Sequence, residues 1–314
     1  MSFIEKESKS LSSYRDRRIF TSSARAAMTF ILQARKHLDP RGILLPAYIG
    51  LSKIEGSGVF DPVRASEINY AFYRVDQRLR PDLVALEKLL KSGNFQLVFL
   101  IHYFGVPQLD VEEFVGLCRH YDVQVIEDCA HTILGGLVSP RLGHYGDYAI
   151  YSIHKSSATK DGGFFIDHTG TLDVETLPLQ FRISIETLAE FADTDLVESS
   201  RRRLSNFHTI SGWLSSISLL EPFFESIPTG AVPLNCPVIV GQGKREELYF
   251  ELIKRGVLPT ALYHTLIPEI YKESYPQSHF VAANILNLPT HPDIDGDNLN
   301  RYEKVLRQAT REVV

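Results

Sequence analysis

Short apolar runs alternate with amphipathic stretches along the first half of the chain, and the links between them are brief. Arg18-Ile19-Phe20 reads as a strand. The polar turn Thr21-Ser22-Ser23 then supplies N-caps for a helix from Ala24 to Leu32. Ile43-Leu44-Leu45-Pro46 is a buried strand closed by proline, and Ala71 to Val75 is another. Asp82 to Leu90 has helical spacing, Phe95 to His102 is a long apolar strand, Val111 to His120 is helical, and Val123 to Ile126 is a strand again. Asp147 to Ile153 and Gly163 to Ile166 complete the series.

Such alternation predicts an α/β fold, a mostly parallel sheet sandwiched by helices. Ligands of such sheets lie at the carboxyl ends of the strands. Ser22, Ser23, His102, Asp128 and Lys155 all fall just after predicted strands, so one crevice can collect them. After about Asp195 the pattern changes. A polar, arginine-rich helix (Ser199 to Asn206) leads into proline-punctuated strands over Pro233 to Val240. A helix from Arg245 to Arg255, then Gly256, and a last helix from Asn298 to Arg311 follow. The expected division is a large domain over 1–195 and a smaller α/β C-terminal domain over 196–314.

Composition narrows the function. Apolar residues make up 44% of the 314 positions and charged residues 23%, ordinary values for a globular protein. A net charge of −5 argues against a nucleic-acid partner. No window approaches the roughly 18 apolar residues of a membrane span, and no internal repeat is visible. Met1 to Lys6 lacks the apolar run of a signal peptide, and Lys6 to Arg18 reads as a solvated arm. Cys118, Cys129 and Cys236 make neither a disulfide framework nor a metal cluster. They read as small buried hydrophobes in a reducing cytoplasm, and no metal is expected.

Two segments carry chemistry. Val125-Ile126-Glu127-Asp128-Cys129-Ala130-His131 is an apolar strand ending in acids. Tyr151-Ser152-Ile153-His154-Lys155 is a strand ending in Ser-x-His-Lys, and it runs on to Asp161-Gly162-Gly163. An aspartate and a lysine at neighbouring strand ends can grip pyridoxal 5′-phosphate (PLP) from two sides. The lysine forms a Schiff base and the carboxylate keeps the ring nitrogen protonated. A lysine beside a sheet is partly desolvated, which frees its amine. Lys160 is the rival, five residues on and expected on a loop. Strand alternation leaves open which of Glu127 and Asp128 points inward. The plain alternative for either is a strand-end cap. His131 could stack on the ring or bond near its phenolic oxygen, though a lone histidine is more often structural. Ser22-Ser23-Ala24-Arg25 opens a helix, either as an anion site or as simple capping. Ser152 is a second phosphate-ligand candidate. His102-Tyr103-Phe104-Gly105 ends the long strand, Gly105 allowing a tight exit.

With these motifs in order, the chain resembles the DegT-type (DegT/DnrJ/StrS) sugar aminotransferases, well over residues 20 to 166 and more loosely over 233 to 294. The resemblance rests on the small-residue helix start at Ser22 and Ser23, Leu45-Pro46-Ala47-Tyr48, Tyr73-Arg74-Val75-Asp76 and His102 to Gly105. It continues through Glu127 to His131, Gly143-His144-Tyr145-Gly146-Asp147 and Leu288-Pro289-Thr290-His291-Pro292. Two departures stand out. The family usually shows Ser-Phe-His-x-x-Lys followed by Gly-Glu-Gly-Gly, whereas here the lysine comes two positions early and Lys160-Asp161 precede the glycines. The family's GyNyR…qAA segment, which helps build the substrate site, is not recognisable, and residues 167 to 232 are short and divergent.

The resemblance implies the aspartate-aminotransferase fold (fold type I), PLP as cofactor, a homodimer, and an amino donor such as glutamate with a keto-sugar or other carbonyl acceptor. It implies that Lys155 holds PLP and then moves the proton, that Asp128 keeps the ring charged, that Ser23, Arg25 and Ser152 cradle the phosphate, and that His131 and Tyr48 pack around the ring. Because the substrate segment is divergent, another PLP reaction (elimination, dehydration or condensation) stands as the alternative, with a non-catalytic relative behind it.

Overall fold

The computed structural model describes residues 18–133 and 142–314, so the expected arm before Arg18 lies outside the described residues. Seven strands form the main sheet: β1 (Arg18–Thr21), β2 (Gly42–Pro46), β3 (Tyr70–Tyr73), β4 (Phe95–Ile101), β5 (Gln124–Asp128), β6 (Tyr148–Ser152) and β7 (Gly163–Asp167). Their spatial order is β1-β7-β6-β5-β4-β2-β3. The five strands from β3 to β6 are parallel, and β7 and β1 close one edge antiparallel.

Every residue of β2, β6 and β7 is buried, which is why these strands read as unbroken apolar runs. Alternate residues face opposite layers. Ile43, Leu45, Leu97, Phe99 and Ile126 join a core with α1 (Ala24–Leu38) and the short α3 (Phe60–Ser66), which follows the single turn α2 (Ser52–Glu55). Leu44, Val98, Leu100 and Val125 join a second core with α4 (Leu83–Leu90) and α5 (Val111–His120). Phe99 has no exposed surface, so Phe99→Ala would cost about 3–5 kcal/mol.

Beyond β7 come α6 (Ile185–Ala192), α7 (Leu196–Leu214), α8 (Arg245–Lys254), α9 (Pro276–Asn284) and α10 (Gly296–Glu312). A second, antiparallel sheet has the order β10-β9-β8, from β8 (Leu220–Pro222), β9 (Cys236–Val240) and β10 (Ile285–Leu288). One face packs on α7, α8 and α10 through Ile210, Leu214, Val238, Leu252 and Leu306. The other, through Ile239 and Ile285, joins the α4–α5 core of the first sheet.

The arginine-rich helix is longer than the sequence suggested. Its buried stripe is Ser200, Arg203, Asn206, Phe207, Ile210 and Leu214. Three polar residues, Ser200, Arg203 and Asn206, occupy inward positions, so the apolar period is broken where the helix begins to bury itself. Asn206 is satisfied there by donating to the carbonyls of His291 (2.9 Å) and Ile294 (3.2 Å).

Candidate active site

A cavity of about 310 Å³ opens at the carboxyl ends of β4, β5 and β6 and against the start of α1. Seven of the residues singled out from the sequence line it: Ser23, Arg25, His102, Asp128, His131, Ser152 and Lys155. Sharp chain turns make this possible. Gly105 has φ of 84°, and a Cβ there would lie 2.5 Å from the His131 carbonyl oxygen. A Cβ at Gly163 would lie 2.4 Å from the Ala24 nitrogen, so glycine lets the helix start dock on the sheet.

The two acids at the end of β5 separate cleanly. Glu127 turns toward the α4–α5 side and is fully buried. Its Oε1 accepts from the backbone N–H of Tyr145 and Gly146, and its Oε2 from Gly143 N–H and His102 Nε2 at 2.8 Å. Burial pushes its pKa up, but these donors outweigh burial and hold the carboxyl below its ordinary value. Sharing those oxygens among four donors leaves no lone pair free for a cation, although Cys129 is also near. Asp128 faces the cavity. Its Oδ1 accepts from Ala130 N–H at 2.9 Å, and burial raises its pKa. A buried carboxylate so thinly bonded fits a cationic partner. His102 Nδ1, buried on the same wall, also has no hydrogen-bond partner among the described residues.

Lys155 lies in the turn after β6, half-buried, with Nζ 2.8 Å from His131 Nε2. The other ring nitrogen, Nδ1, accepts from Phe104 N–H at 3.2 Å. Phe104 is left-handed, with φ of 59°, which aims that N–H at the imidazole. With Nδ1 an acceptor, neutral His131 carries its proton on Nε2. Nε2–H then donates to Lys155, whose nitrogen must offer a lone pair. Burial depresses the pKa of both groups, His131 strongly, while Asp128 pulls Lys155 partly back. Burial and this contact both favour the free-amine form of Lys155. Lys160 is exposed and off the cavity wall.

At the far end, Ser23 caps α1, accepting from Ala26 N–H at 3.0 Å, and its own hydroxyl proton stays available. Arg25, half exposed, lies 3.4 Å from Asp61. Ser152 Oγ is 3.2 Å from His154 Nδ1.

Two expected contacts are displaced. Ser22 donates to the Gln180 carbonyl (3.2 Å) and is not on the wall, because the turn into α1 swings it toward the 179–181 segment. Tyr48 is fully buried behind Tyr263: its hydroxyl donates to the Tyr263 carbonyl and accepts the Tyr263 N–H. Tyr263 takes the wall position instead. It comes from a loop over a hundred residues downstream, and no local motif in the sequence marks it.

The sequence model of the DegT/DnrJ/EryC1/StrS aminotransferase family matches residues 57–181. Over that segment the chain matches a DegT-type aminotransferase domain. It spans the strands that carry Asp128, His131, Ser152 and Lys155. A UDP-N-acetyl-3-dehydro-α-D-glucosamine 3-aminotransferase of Acidithiobacillus ferrooxidans is 21% identical over 269 residues, 76% of this chain and 71% of the relative. The aminotransferase TlmJ of Streptoalloteichus hindustanus superposes with a TM-score of 0.78 at 21% identity, covering 94% of this chain and 86% of that one. Helicobacter pylori PseC, an aminotransferase of pseudoaminic acid biosynthesis, gives 0.76 at 14% identity, covering 95% and 87%. Aminotransferases of the DegT type depend on PLP, and similar structures include Spr1654 of Streptococcus pneumoniae in PLP and PMP forms. The thinly bonded Asp128, the orphaned His102 Nδ1 and the Lys155 amine with its lowered pKa suit that cofactor.

Proposed function

We propose that the protein is a PLP-dependent aminotransferase that forms an amino sugar or a related amino-bearing metabolite. One observation carries the reading: a lysine amine, 2.8 Å from a tautomer-fixed histidine, shares a cavity with a buried, under-bonded aspartate. PLP, when bound, supplies an electron sink for negative charge at the carbon bearing the transferred nitrogen. Lys155 would hold the cofactor. Its Nζ, as the free base that burial favours, would take and return the proton at the substrate carbon. Asp128 would keep the ring nitrogen protonated, and Ser23, Arg25 and Ser152 would hold the phosphate. His131 and Tyr263 would flank the ring and exclude water.

The named relative acts on a UDP-linked 3-keto sugar, so a keto-sugar nucleotide is the acceptor of choice for testing. Glutamate is the first donor to try. A homodimer and a cytoplasmic setting belong to the same reading. The exposed apolar side chains of Leu179 (80%), Ile185 (83%) and Val197 (70%) support the first, and three free, buried cysteines the second.

The PLP-loaded protein should lose its visible band with glutamate, glutamine, aspartate or alanine, as the cofactor passes to its pyridoxamine form. If none of the four bleaches it while another amino acid loses a β-substituent, elimination replaces transamination as the function.

A further inference from the structure

A second cavity, also about 310 Å³, meets the first at His131, Lys155 and Tyr263. Its far wall comes from α7, the segment before β9 and the end of β10: Arg203, Asn235, Asn287 and Thr290. Three arginines stand in a row on α7, and their fates differ. Arg201 and Arg202 point outward, each 2.7 Å from Glu198, with side chains 68% and 54% exposed. Arg203 is turned in and 5% exposed. Its Nη1 donates to the Leu234 carbonyl, and among the described residues its buried Nε has no partner and the side chain makes no ion pair. Asp293 influences it from a distance but is 87% exposed and lies 3.2 Å from His291. Burial lowers the Arg203 pKa to about 10, so the side chain stays cationic at neutral pH.

An unpaired buried cation is costly and needs a compensating anion. Other polar side chains of this cavity are engaged: Glu55, its acid, lies 2.6 Å from His264 Nδ1 and accepts Thr265 N–H at 2.7 Å. Asn287 Nδ2 donates to Asn235 Oδ1 (3.2 Å), Asn287 Oδ1 accepts Leu262 N–H (2.8 Å), and Thr290 Oγ1 donates to the Leu234 carbonyl (3.1 Å). The guanidinium is the charge left uncommitted. It is also firmly placed, because Leu234 N–H bonds the Phe104 carbonyl (2.7 Å) beside the histidine that holds Lys155.

We propose that this second cavity is a carboxylate subsite and that Arg203 binds the carboxylate of the amino donor. One guanidinium balances one carboxylate; a diphosphate would bring more negative charge than this wall can neutralise. An amino donor's α-carboxylate lies one bond from the carbon that bears its nitrogen, so a donor reacting at Lys155 has its carboxylate close by. The assignment rests on the PLP reading above and extends it to the donor.

The test compares two reagents that attack a lysine-bound PLP: aminooxyacetate, which carries a carboxylate, and methoxyamine, which does not. Both are followed by loss of the visible band in the PLP-loaded protein. Arg203→Gln keeps a donor for the Leu234 carbonyl and removes the charge. It should slow aminooxyacetate roughly ten- to a hundredfold and leave methoxyamine unchanged, the scale of one charge-assisted hydrogen bond. Arg203→Lys, the variant to use should Arg203→Gln not fold, should lie between. Equal slowing of both reagents, or of neither, overturns the subsite. With glutamate, KM should rise in Arg203→Gln while the limiting rate holds. A wild-type protein that discriminates the two reagents through Arg203 yet converts no amino acid would keep the subsite and overturn the aminotransferase reading instead.

Discussion

Glu127 and Asp128 are adjacent, both acidic and both buried, yet they belong to different parts of the molecule. Glu127 faces the α4–α5 layer and is saturated by four donors, His102 and three that tie the 143–146 loop to β5. Asp128 faces the α1 side and bonds Ala130 N–H. Burial alone therefore does not mark a functional acid. The number of donors already spent on it does: the saturated carboxylate is scaffold, and the under-bonded one is available to a ligand.

The largest expected effect is on the cavity side. Asp128→Asn should lower turnover on the order of a hundredfold or more, the scale of removing one preorganised charge partner, while the fold survives. The apo-protein should even gain stability at neutral pH. The Asp128 pKa is raised on folding, so its ionisation opposes folding as pH climbs through that raised value. Urea unfolding of the two apo-proteins, beside steady-state rates, checks both halves.

On the scaffold side the signs reverse. Glu127→Gln leaves buried donors unmatched and should cost about 3–5 kcal/mol at neutral pH. The Glu127 pKa is lowered on folding, so its stabilisation is full above the unfolded value and is lost as pH falls through the folded one. The difference between wild type and variant in urea should therefore shrink in acid, while the folded variant keeps its chemistry. A variant that stays stable and loses turnover would mean the two acids have exchanged roles.

His131 joins the two sides through Phe104. His131→Ala removes the Nε2–H that favours the neutral amine, so the Lys155 pKa should rise and the pH profile of PLP loading should move to more alkaline pH. His131→Gln, which keeps a donor, should restore much of the shift. An unmoved profile in both would place Lys155 under the control of burial alone.

The smallest effects belong to the phosphate end. Ser23→Ala should cost about 1 kcal/mol of stability, because the cap of Ala26 N–H is lost, and should weaken PLP binding roughly tenfold. Arg25→Ala should weaken it less, since the side chain is half in solvent and shared with Asp61. Titrating the apo-proteins with PLP ranks them. Unchanged affinity in both would reduce this helix start to capping.

What was legible in the sequence was what lies at strand ends. Asp128, His131, Ser152 and Lys155 sit within one or two turns of runs whose apolar pattern fixes both strand and direction, so their convergence follows from the parallel sheet. Alternation could not decide between Glu127 and Asp128, because both faces of β5 are buried and neither is marked by polarity. Tyr263 was illegible because a loop far along the chain delivers it. Arg203 was hidden for a different reason: a charge on the buried stripe of a helix makes that helix read as a solvated one. The same stripe explains why α7 was drawn too short, and Ser22 and Tyr48 were misplaced because turn geometry, not residue type, decides which hydroxyl faces the cavity.

The central claim is that Lys155, held beside His131, carries the cofactor. Borohydride reduction of the PLP-loaded protein followed by peptide mapping tests it most directly. The account predicts one pyridoxyl adduct, on Lys155. An adduct on the exposed Lys160, or no adduct on any lysine, would contradict it.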